Sequence, residues 1–425
     1  MDTIFAVSSG QPPAAIAVLR VSGPHAAATV EALAGPLPQP RRATLRRLRD
    51  TDGALLDDAL LLWFPGPATA TGEDLAEFHL HGGIATVAAV EQALAARPGL
   101  RRARGGEFTR RALENGRIDL AQAQGLADLL EAESEAQRRA AIASVDGEIS
   151  RAVARWLATL AGIAARIEAM IDFSDEDDVS PADDRQLDTA IGSWLAEVTA
   201  LLARPTVERL REGYRIVLAG PPNAGKSSLF NAMIERDAAI VTPIAGTTRD
   251  LLEARVIRHG QLYTLIDTAG LASATDDPVE RIGIARAQQA AATADIVLWL
   301  DDAPPPADWP VIALHPRSDL PDRATAPAGR IAVARGDLPS IDRLWQLIED
   351  RAASLFAIDG ALLRDQQRTA VIAAGESIER DGMDRDLLVR AEGVRYAMRK
   401  LAGIVGADAT ETMLDALFAR FCIGK

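Results

Sequence analysis

Gly220-Pro221-Pro222-Asn223-Ala224-Gly225-Lys226-Ser227 combines two glycines, a lysine and a hydroxyl at a spacing that suits the cradling of a polyphosphate. Glycine at each end lets the backbone curl until successive N–H groups point at phosphate oxygens. Lys226 adds a positive charge at the β and γ phosphates, and the Ser227 hydroxyl can ligate Mg²⁺. An apolar strand-like run, Arg215–Ala219, leads into the loop and a helical run, Ser228–Ile234, leads out of it, which is the context this chemistry requires.

Two later segments complete a metal–phosphate site. Gly246-Thr247-Thr248-Arg249-Asp250 lies in a polar loop after Pro243 and offers Thr248 as a second Mg²⁺ ligand. Asp267-Thr268-Ala269-Gly270 closes the apolar run Tyr263–Ile266, so the Asp267 carboxylate can reach the metal's outer shell and the Gly270 N–H can sense the γ-phosphate. Each segment alone is a weak signal; their order and spacing make the set specific. The base-reading end is less regular. Guanine sites ordinarily present Asn-Lys-x-Asp at the end of an apolar strand, whereas here Val311–Leu314 runs into His315-Pro316-Arg317-Ser318-Asp319. Asp319 keeps the carboxylate that accepts from the guanine edge, so GTP is expected over ATP; Pro316 offers no amide and Arg317 substitutes only in part for lysine. Leu271 occupies the position where small GTPases place a water-orienting glutamine. An arginine finger is worth about 10³ to 10⁵ in rate, so intrinsic turnover is expected to be slow unless another group replaces it.

These residues must be held by more than one fold unit. The 425 residues suffice for roughly two to four domains. From Gly213 onward apolar strands alternate with helices (Arg215–Ala219, Arg255–Ile257, Tyr263–Ile266, Ile296–Leu300, Val311–Leu314, Ile331–Ala334), which predicts a mainly parallel sheet covered on both faces. Upstream, Thr3–Val7, Ala14–Val21, Ala43–Arg49 and Leu55–Trp63 read as strands, with Asp50–Gly53 as a hairpin turn and helices near Pro24–Leu33 and Ile84–Ala95, an α+β unit. Between the two, Leu120, Ala123, Ala127, Leu130, Ile142, Val145, Ile149, Val153, Leu157, Leu160, Ile163 and Ile167 keep helical spacing. The acidic run Ser174–Asp178 and Pro181 interrupt it before Leu187–Leu202. Helices return at Ala361–Arg380, Arg385–Ile404 and Thr410–Arg420, so the α/β module is expected to be inserted into a helical domain.

Composition narrows the function classes. With 48% hydrophobic, 25% charged and only 4% aromatic residues, the cores must be aliphatic and alanine-rich. A formal charge of −14 repels polyanions, so nucleic acid would need a local basic patch; Arg41, Arg42, Arg46, Arg47 and Arg49 read instead as a solvated strand face. The single cysteine, Cys422, excludes an intrachain disulfide and fits a reducing, cytoplasmic compartment. No apolar run is long enough to span a membrane and no leader pattern opens the chain.

Taken together, the motifs resemble the tRNA-modification GTPase family MnmE, also called TrmE. The likeness extends from Thr71-Gly72-Glu73-Asp74, His81-Gly82-Gly83 and Gly106-Glu107-Phe108-Thr109-Arg110-Arg111-Ala112 near the start, through Asn223–Ser228, Ile244–Asp250 and Val279-Glu280-Arg281-Ile282-Gly283, to the terminal Phe421-Cys422-Ile423-Gly424-Lys425. It implies a multidomain α/β plus α protein. Residues 1–117 would form an N-terminal α+β domain that dimerises and binds a reduced folate. Residues 118–211 and 357–425 would form a helical domain in two segments, and 212–356 an inserted Ras-like phosphate-loop GTPase domain. The folate, 5-formyl- or methylene-tetrahydrofolate, would be contacted by Arg20, Glu77, Arg117 and Lys425, with Arg117 standing where relatives commonly carry lysine. The nucleotide would contact Asn223, Ala224, Gly225, Lys226, Ser227 and Ser228, then Thr242, Pro243, Ile244, Ala245, Gly246, Thr247 and Thr248, then Asp267, Thr268, Ala269, Gly270 and Asp319. A K⁺ ion held by Asn223, Thr242, Ile244 and Thr247 would supply the missing finger's charge and Glu280 would orient the water, making Asn223, Lys226 and Glu280 the catalytic set. The resemblance further implies a homodimer and an FAD-dependent partner, MnmG, in a heterotetramer that installs a carboxymethylaminomethyl-type group on the wobble uridine of tRNA. Cys422 is a candidate for chemistry but reads better as a small buried packing residue. The competing class is a regulatory GTP switch with no modification chemistry, for which the folate-contacting set would have no purpose. A ribosome-assembly GTPase would need a basic RNA-binding appendage that the acidic balance disfavours.

Overall fold

The computed structural model describes residues 2–172, 181–236, 252–268, 288–355, 360–384, 386–407 and 409–424. Two compact units divide the chain, one comprising Met1–Ala127, Ser144–Asp172 and Asp386–Lys425, the other Asp128–Ala143 and Phe173–Arg385.

In the first unit a six-stranded sheet takes the order β3-β4-β5-β2-β1-β6, from β1 (Thr3–Val7), β2 (Ile16–Ser22), β3 (Thr44–Arg49), β4 (Leu55–Phe64), β5 (Leu75–His81) and β6 (Leu100–Arg102). Only β1 and β6 pair in parallel. Alternation along each strand puts Phe5, Leu19, Val21, Leu61, Trp63 and Phe78 on one face, where α1 (Ala26–Ala34) and α2 (Ile84–Ala95) cover them with Val30, Leu33, Val87, Val90 and Leu94. The sequence reading missed β5, which lies between β2 and β4. Its opposite face carries Glu77 and His79, polar residues that hide a central strand from a hydrophobicity scan. It also missed the short α3 (Glu107–Glu114), whose Phe108 packs with Ile4, Ala6 and Ala103. Residues Arg47 and Arg49 on β3 are exposed, in keeping with a solvated strand face.

The expected fifty-residue helical stretch is three helices, α4 (Leu120–Glu131), α5 (Glu135–Val145) and α6 (Glu148–Asp172). Gly147, at φ 81°, separates the last two, its N–H donating to Ser144 O at 3.0 Å. On α6 the buried stripe is Ile149, Val153, Trp156, Leu160, Ile163, Ile167 and Met170; Trp156, not Leu157, holds the inward position.

The second unit contains α7 (Pro181–Leu202), α8 (Val207–Glu212) and a six-stranded sheet in the order β12-β11-β10-β7-β9-β8. Its strands are β7 (Tyr214–Ala219), β8 (Leu252–Arg258), β9 (Gln261–Asp267), β10 (Ile296–Trp299), β11 (Val311–Pro316) and β12 (Ile331–Val333). All neighbours are parallel except the β8–β9 hairpin. One face packs on α9 (Lys226–Arg236) and α10 (Leu338–Leu355) through Leu229, Phe230, Met233, Leu344, Trp345 and Ile348; the other buries Val217, Ile266, Val297 and Trp299. Parallel strands buried on both faces need continuous apolar runs, and β10 and the Ile216–Ala219 part of β7 supply them.

Helices after the module are α11 (Asp365–Arg380), α12 (Leu387–Ile404) and α13 (Glu411–Phe418). They pack on helices from before it: α12 on α6 within the first unit, and α11 on α7 within the second.

Candidate nucleotide site and a second polar site

Strand β7, flanked by β10 and β9, ends at Ala219, and the chain then turns through Gly220 at φ 152°. A Cβ at Gly220 would sit 2.9 Å from Leu300 O, so only glycine allows this close passage over β10's end. Asn223 (φ 61°) and Gly225 (φ 98°) take left-handed conformations, which asparagine and glycine tolerate best. Such a run aims successive amides into one concavity at the mouth of α9, where the helix's unpaired N–H groups add their partial positive charge.

Lys226 opens α9 and is buried. Its Nζ donates to the carbonyls of Gly220 at 3.2 Å and Pro221 at 2.9 Å, so the ammonium lies along the loop that surrounds it. Burial pulls its pKa down, and the charge of Asp267 works against that. Asp267, at the end of β9, is registered with Leu218 of β7 and is buried too. Burial pushes its carboxyl above the ordinary range, while a hydrogen bond from Ser227 and the charge of Lys226 pull it back. Its Oδ1 is buried and has no hydrogen-bond partner among the described residues. The neighbouring Thr268 donates from Oγ1 to Leu218 O at 2.7 Å, fixing the end of β9 against the start of the phosphate loop.

On the base side, Asp319 is exposed in a turn beyond β11. Arg317 takes a left-handed conformation (φ 60°) and its Nη2 donates to the Asn223 carbonyl, tying the base loop to the phosphate loop. The sequence reading treated Arg317 only as an incomplete lysine; the structure gives it this tether. Three residues it did not single out, Asp302, His315 and Arg323, surround Pro316. A buried histidine beside a proline carries no motif, so no sequence signal pointed to them.

In the first unit, Arg20 and Glu77 stand directly opposite on β2 and β5 and pair at 2.8 Å, with His79 Nε2 3.4 Å from the second Glu77 oxygen. The C-terminal tail comes to the same sheet: Ile423 bridges Gly105, and a Cβ on Gly424 would lie 2.2 Å from Val7 O. Val7 follows Ala6, the residue registered with Arg20. Ser8, next along, carries a buried hydroxyl with no partner among the described residues. Arg117 donates from Nε to Thr69 O at 3.2 Å. Cys422 is exposed, which corrects the expectation of a buried packing thiol; the tail lies on the surface and buries Phe421 in its place. Arg111, by contrast, is buried and pairs with Asp2 at 2.7 Å and Glu73 at 3.0 Å beside a cavity of about 470 Å³.

Thr242, Pro243, Ile244, Ala245, Gly246, Thr247, Thr248, Ala269, Gly270, Glu280 and Lys425 lie outside the described residues. The structure thus brings together Asn223, Ala224, Gly225, Lys226, Ser227, Asp267, Thr268 and the Asp319 loop in one unit, and Arg20, Glu77 and the tail before Lys425 in the other.

A central parallel strand running into a glycine-framed loop, with a buried lysine at the following helix and an aspartate at the end of the adjacent strand, defines a phosphate-loop nucleotide-binding protein. Family profiles and relatives carry this further. The family described as "GTP-binding protein TrmE N-terminus" matches residues 3–117 and the "MnmE helical domain" matches residues 120–422. The tRNA modification GTPase MnmE of Erythrobacter litoralis is 51% identical over 435 residues, covering 100% of both chains. That of Rhizorhabdus wittichii is 52% identical over 428 residues, covering 100% of this chain and 97% of its own. The chain belongs to the MnmE family of tRNA modification GTPases. Among solved structures, the G domain of the T. maritima FeoB iron transporter matches 33% of this chain at 23% identity, but its TM-score of 0.26 is too low to bear on the assignment.

Proposed function

We propose that this chain binds and hydrolyses GTP at the Gly220–Ser227 loop and couples hydrolysis to carboxymethylaminomethyl-type modification of the wobble uridine of tRNA. The observation that carries the nucleotide reading is the buried Lys226, enclosed by its own loop with Asp267 and Ser227 beside it. A lysine is rarely buried without an anionic purpose, and a polyphosphate is the anion this loop is shaped for.

The donor set fits Mg²⁺. Asp267 Oδ1 is a buried carboxylate oxygen with no partner among the described residues, and Ser227 presents a hydroxyl to the same carboxylate. Hard oxygen ligands with several waters suit this ion. Ser227 and Thr248 would hold it directly and Asp267 through water, and it would neutralise charge on the β and γ phosphates. Lys226 and the loop amides hold the triphosphate, Asp319 accepts from the guanine edge, and Glu280 orients the attacking water. Asn223 with Thr242, Ile244 and Thr247 would bind K⁺.

The N-terminal site would bind a reduced folate through Arg20, Glu77, Arg117 and Lys425. The unpartnered Ser8 hydroxyl next to the tail supports a polar ligand there. In this reading residues 1–117, 118–211 with 357–425, and 212–356 act as folate-binding, helical and GTPase domains. The protein works in the cytoplasm as a homodimer with the FAD-containing MnmG partner. No helix among the described residues is long and apolar enough to cross a membrane.

The test is turnover of the purified chain with GTP and ATP, each in K⁺ and in Na⁺, alongside Asn223→Ala. GTP-selective, K⁺-stimulated turnover lost in the variant is the expected result. Equal rates in the two salts would remove the K⁺ assignment, and equal use of ATP would remove the guanine assignment.

A further inference from the structure

The loop that presents Asp319 has proline where guanine-binding loops ordinarily carry an amide side chain. Two sets of contacts surround that position. Arg323, on the 3₁₀ turn Pro321–Arg323, donates from Nε to Pro316 O at 2.8 Å and from Nη2 to Asp302 Oδ2 at 3.0 Å. Asp302 lies beyond the end of β10, and its other oxygen is 2.8 Å from Nδ1 of His315, while His315 Nε2 is 3.0 Å from the Arg323 carbonyl. His315 is buried at the end of β11, immediately before Pro316. The second contact is Arg317, whose guanidinium reaches the Asn223 carbonyl of the phosphate loop. One set fixes the loop's entry to the sheet; the other fixes its next residue to the phosphate site. Charged hydrogen bonds in a fork geometry hold orientation better than single neutral ones.

We propose that Asp302, His315 and Arg323 are positioning residues for guanine recognition, a lateral clamp on the Pro316 carbonyl that holds Asp319 in line with the phosphate loop in place of the amide that proline cannot supply. The inference rests on the GTP reading of Gly220–Ser227 and Asp319. None of the three clamp residues touches the nucleotide in this scheme; they act through Pro316 and Asp319.

The experiment uses the full chain with fluorescent GDP, displaced in turn by GDP, by ADP, by inosine diphosphate, which lacks the exocyclic amine Asp319 would read, and by tripolyphosphate. Arg323→Ala and Asp302→Asn are expected to weaken GDP binding by roughly tenfold to a hundredfold, the worth of a charge-assisted hydrogen bond. Tripolyphosphate should compete as well against the variants as against the parent, the preference for GDP over the inosine analogue should narrow, and KM for GTP should rise with kcat unchanged. Pro316→Asn placed in the Arg323→Ala background should restore affinity. Asp302 is partly exposed, so its variant stays informative even if Arg323→Ala does not fold. Unchanged GDP affinity in both variants, or an equal loss for GDP, the inosine analogue and tripolyphosphate, would overturn the clamp. A parent protein that does not distinguish GDP from ADP would instead overturn the guanine reading itself.

Discussion

Replacing Asp267 by asparagine should strengthen the empty protein and weaken its hold on magnesium–GTP. Asp267 is buried at the end of β9, one of its oxygens has no partner among the described residues, and burial raises its pKa above 3.8 despite Ser227 and Lys226. The amide keeps a polar atom in this place but carries no charge, and relieving the desolvation of the buried carboxylate is worth about 1–3 kcal/mol. The lost attraction to Lys226 offsets part of this, leaving a net gain of about 1 kcal/mol, or roughly 2–4 °C in Tm for a unit of this size. The sign follows from linkage. A carboxyl with a raised folded-state pKa binds its proton more tightly when folded, so its destabilising effect is fully present above that raised value and fades as pH falls towards 3.8. The gain should therefore be present at pH 7 and shrink in acid. With nucleotide and Mg²⁺ the order reverses, and affinity should fall by roughly tenfold to a hundredfold for the loss of a charged partner. Thermal melts without nucleotide at pH 7 and at pH 4, and fluorescent-GTP titrations with and without Mg²⁺, measure both halves. A variant that melts lower than the parent when empty, or that binds magnesium–GTP equally well, would refute the reasoning.

Lys226→Ala should reduce GTP affinity more than a hundredfold, two charged contacts at about 1.5–3 kcal/mol each, yet leave the empty protein folded by circular dichroism, because the loop carbonyls it now serves can take water. Gly424→Ala, whose methyl would press on Val7 O at 2.2 Å in a left-handed backbone, should displace the tail; folate binding measured by calorimetry should fall while GTP affinity holds. Arg111→Met should cost about 1–3 kcal/mol in urea unfolding, since it removes the cation from the largely buried Glu73. Acid should destabilise the parent's first unit. Burial opposes ionisation of Glu107, but Arg101 and Arg111 hold it below 4.5, and hydrogen bonds from Arg101 and Arg111 hold Asp2 below 3.8. The stability these pairs contribute is present above about pH 4.5 and should be lost as pH falls through the lowered values, which a pH series of melts reads directly.

The parts of the fold that were legible are those in which one period dominates. The parallel strands of the second unit, such as Ile296–Trp299 and the Ile216–Ala219 part of β7, are buried on both faces and read as unbroken apolar runs. The phosphate loop was legible because its chemistry admits few residue types. Strand β5 was not, because Glu77 and His79 interrupt Leu-Ala-x-Phe-x-Leu on the face that also carries Arg20. Helix α3 was missed because half of its short sequence is charged, and Arg111 is buried with ion pairs contributed from remote parts of the chain. The tether from Arg317 to Asn223 and the contacts around Pro316 are long-range geometry, with no local pattern to announce them. Cys422 was misread for a similar reason: a lone thiol is usually internal, but here Phe421 took the interior place.

Strand β8 begins at Leu252, level with Asp267, and ends in the hairpin with β9. At its far end the Gly260 carbonyl accepts from the Ala136 N–H at the head of α5, and midway Arg255 grips Glu133 and the Arg211 carbonyl at 2.7 Å each. Seven extended residues span about 20 Å and can neither stretch nor compress. The hairpin is therefore a stiff rod with one end level with Asp267 and the other fastened to a helix. If nucleotide tilts its Asp267 end, the tilt is expected at α5 as well, with no side chain reaching across the distance.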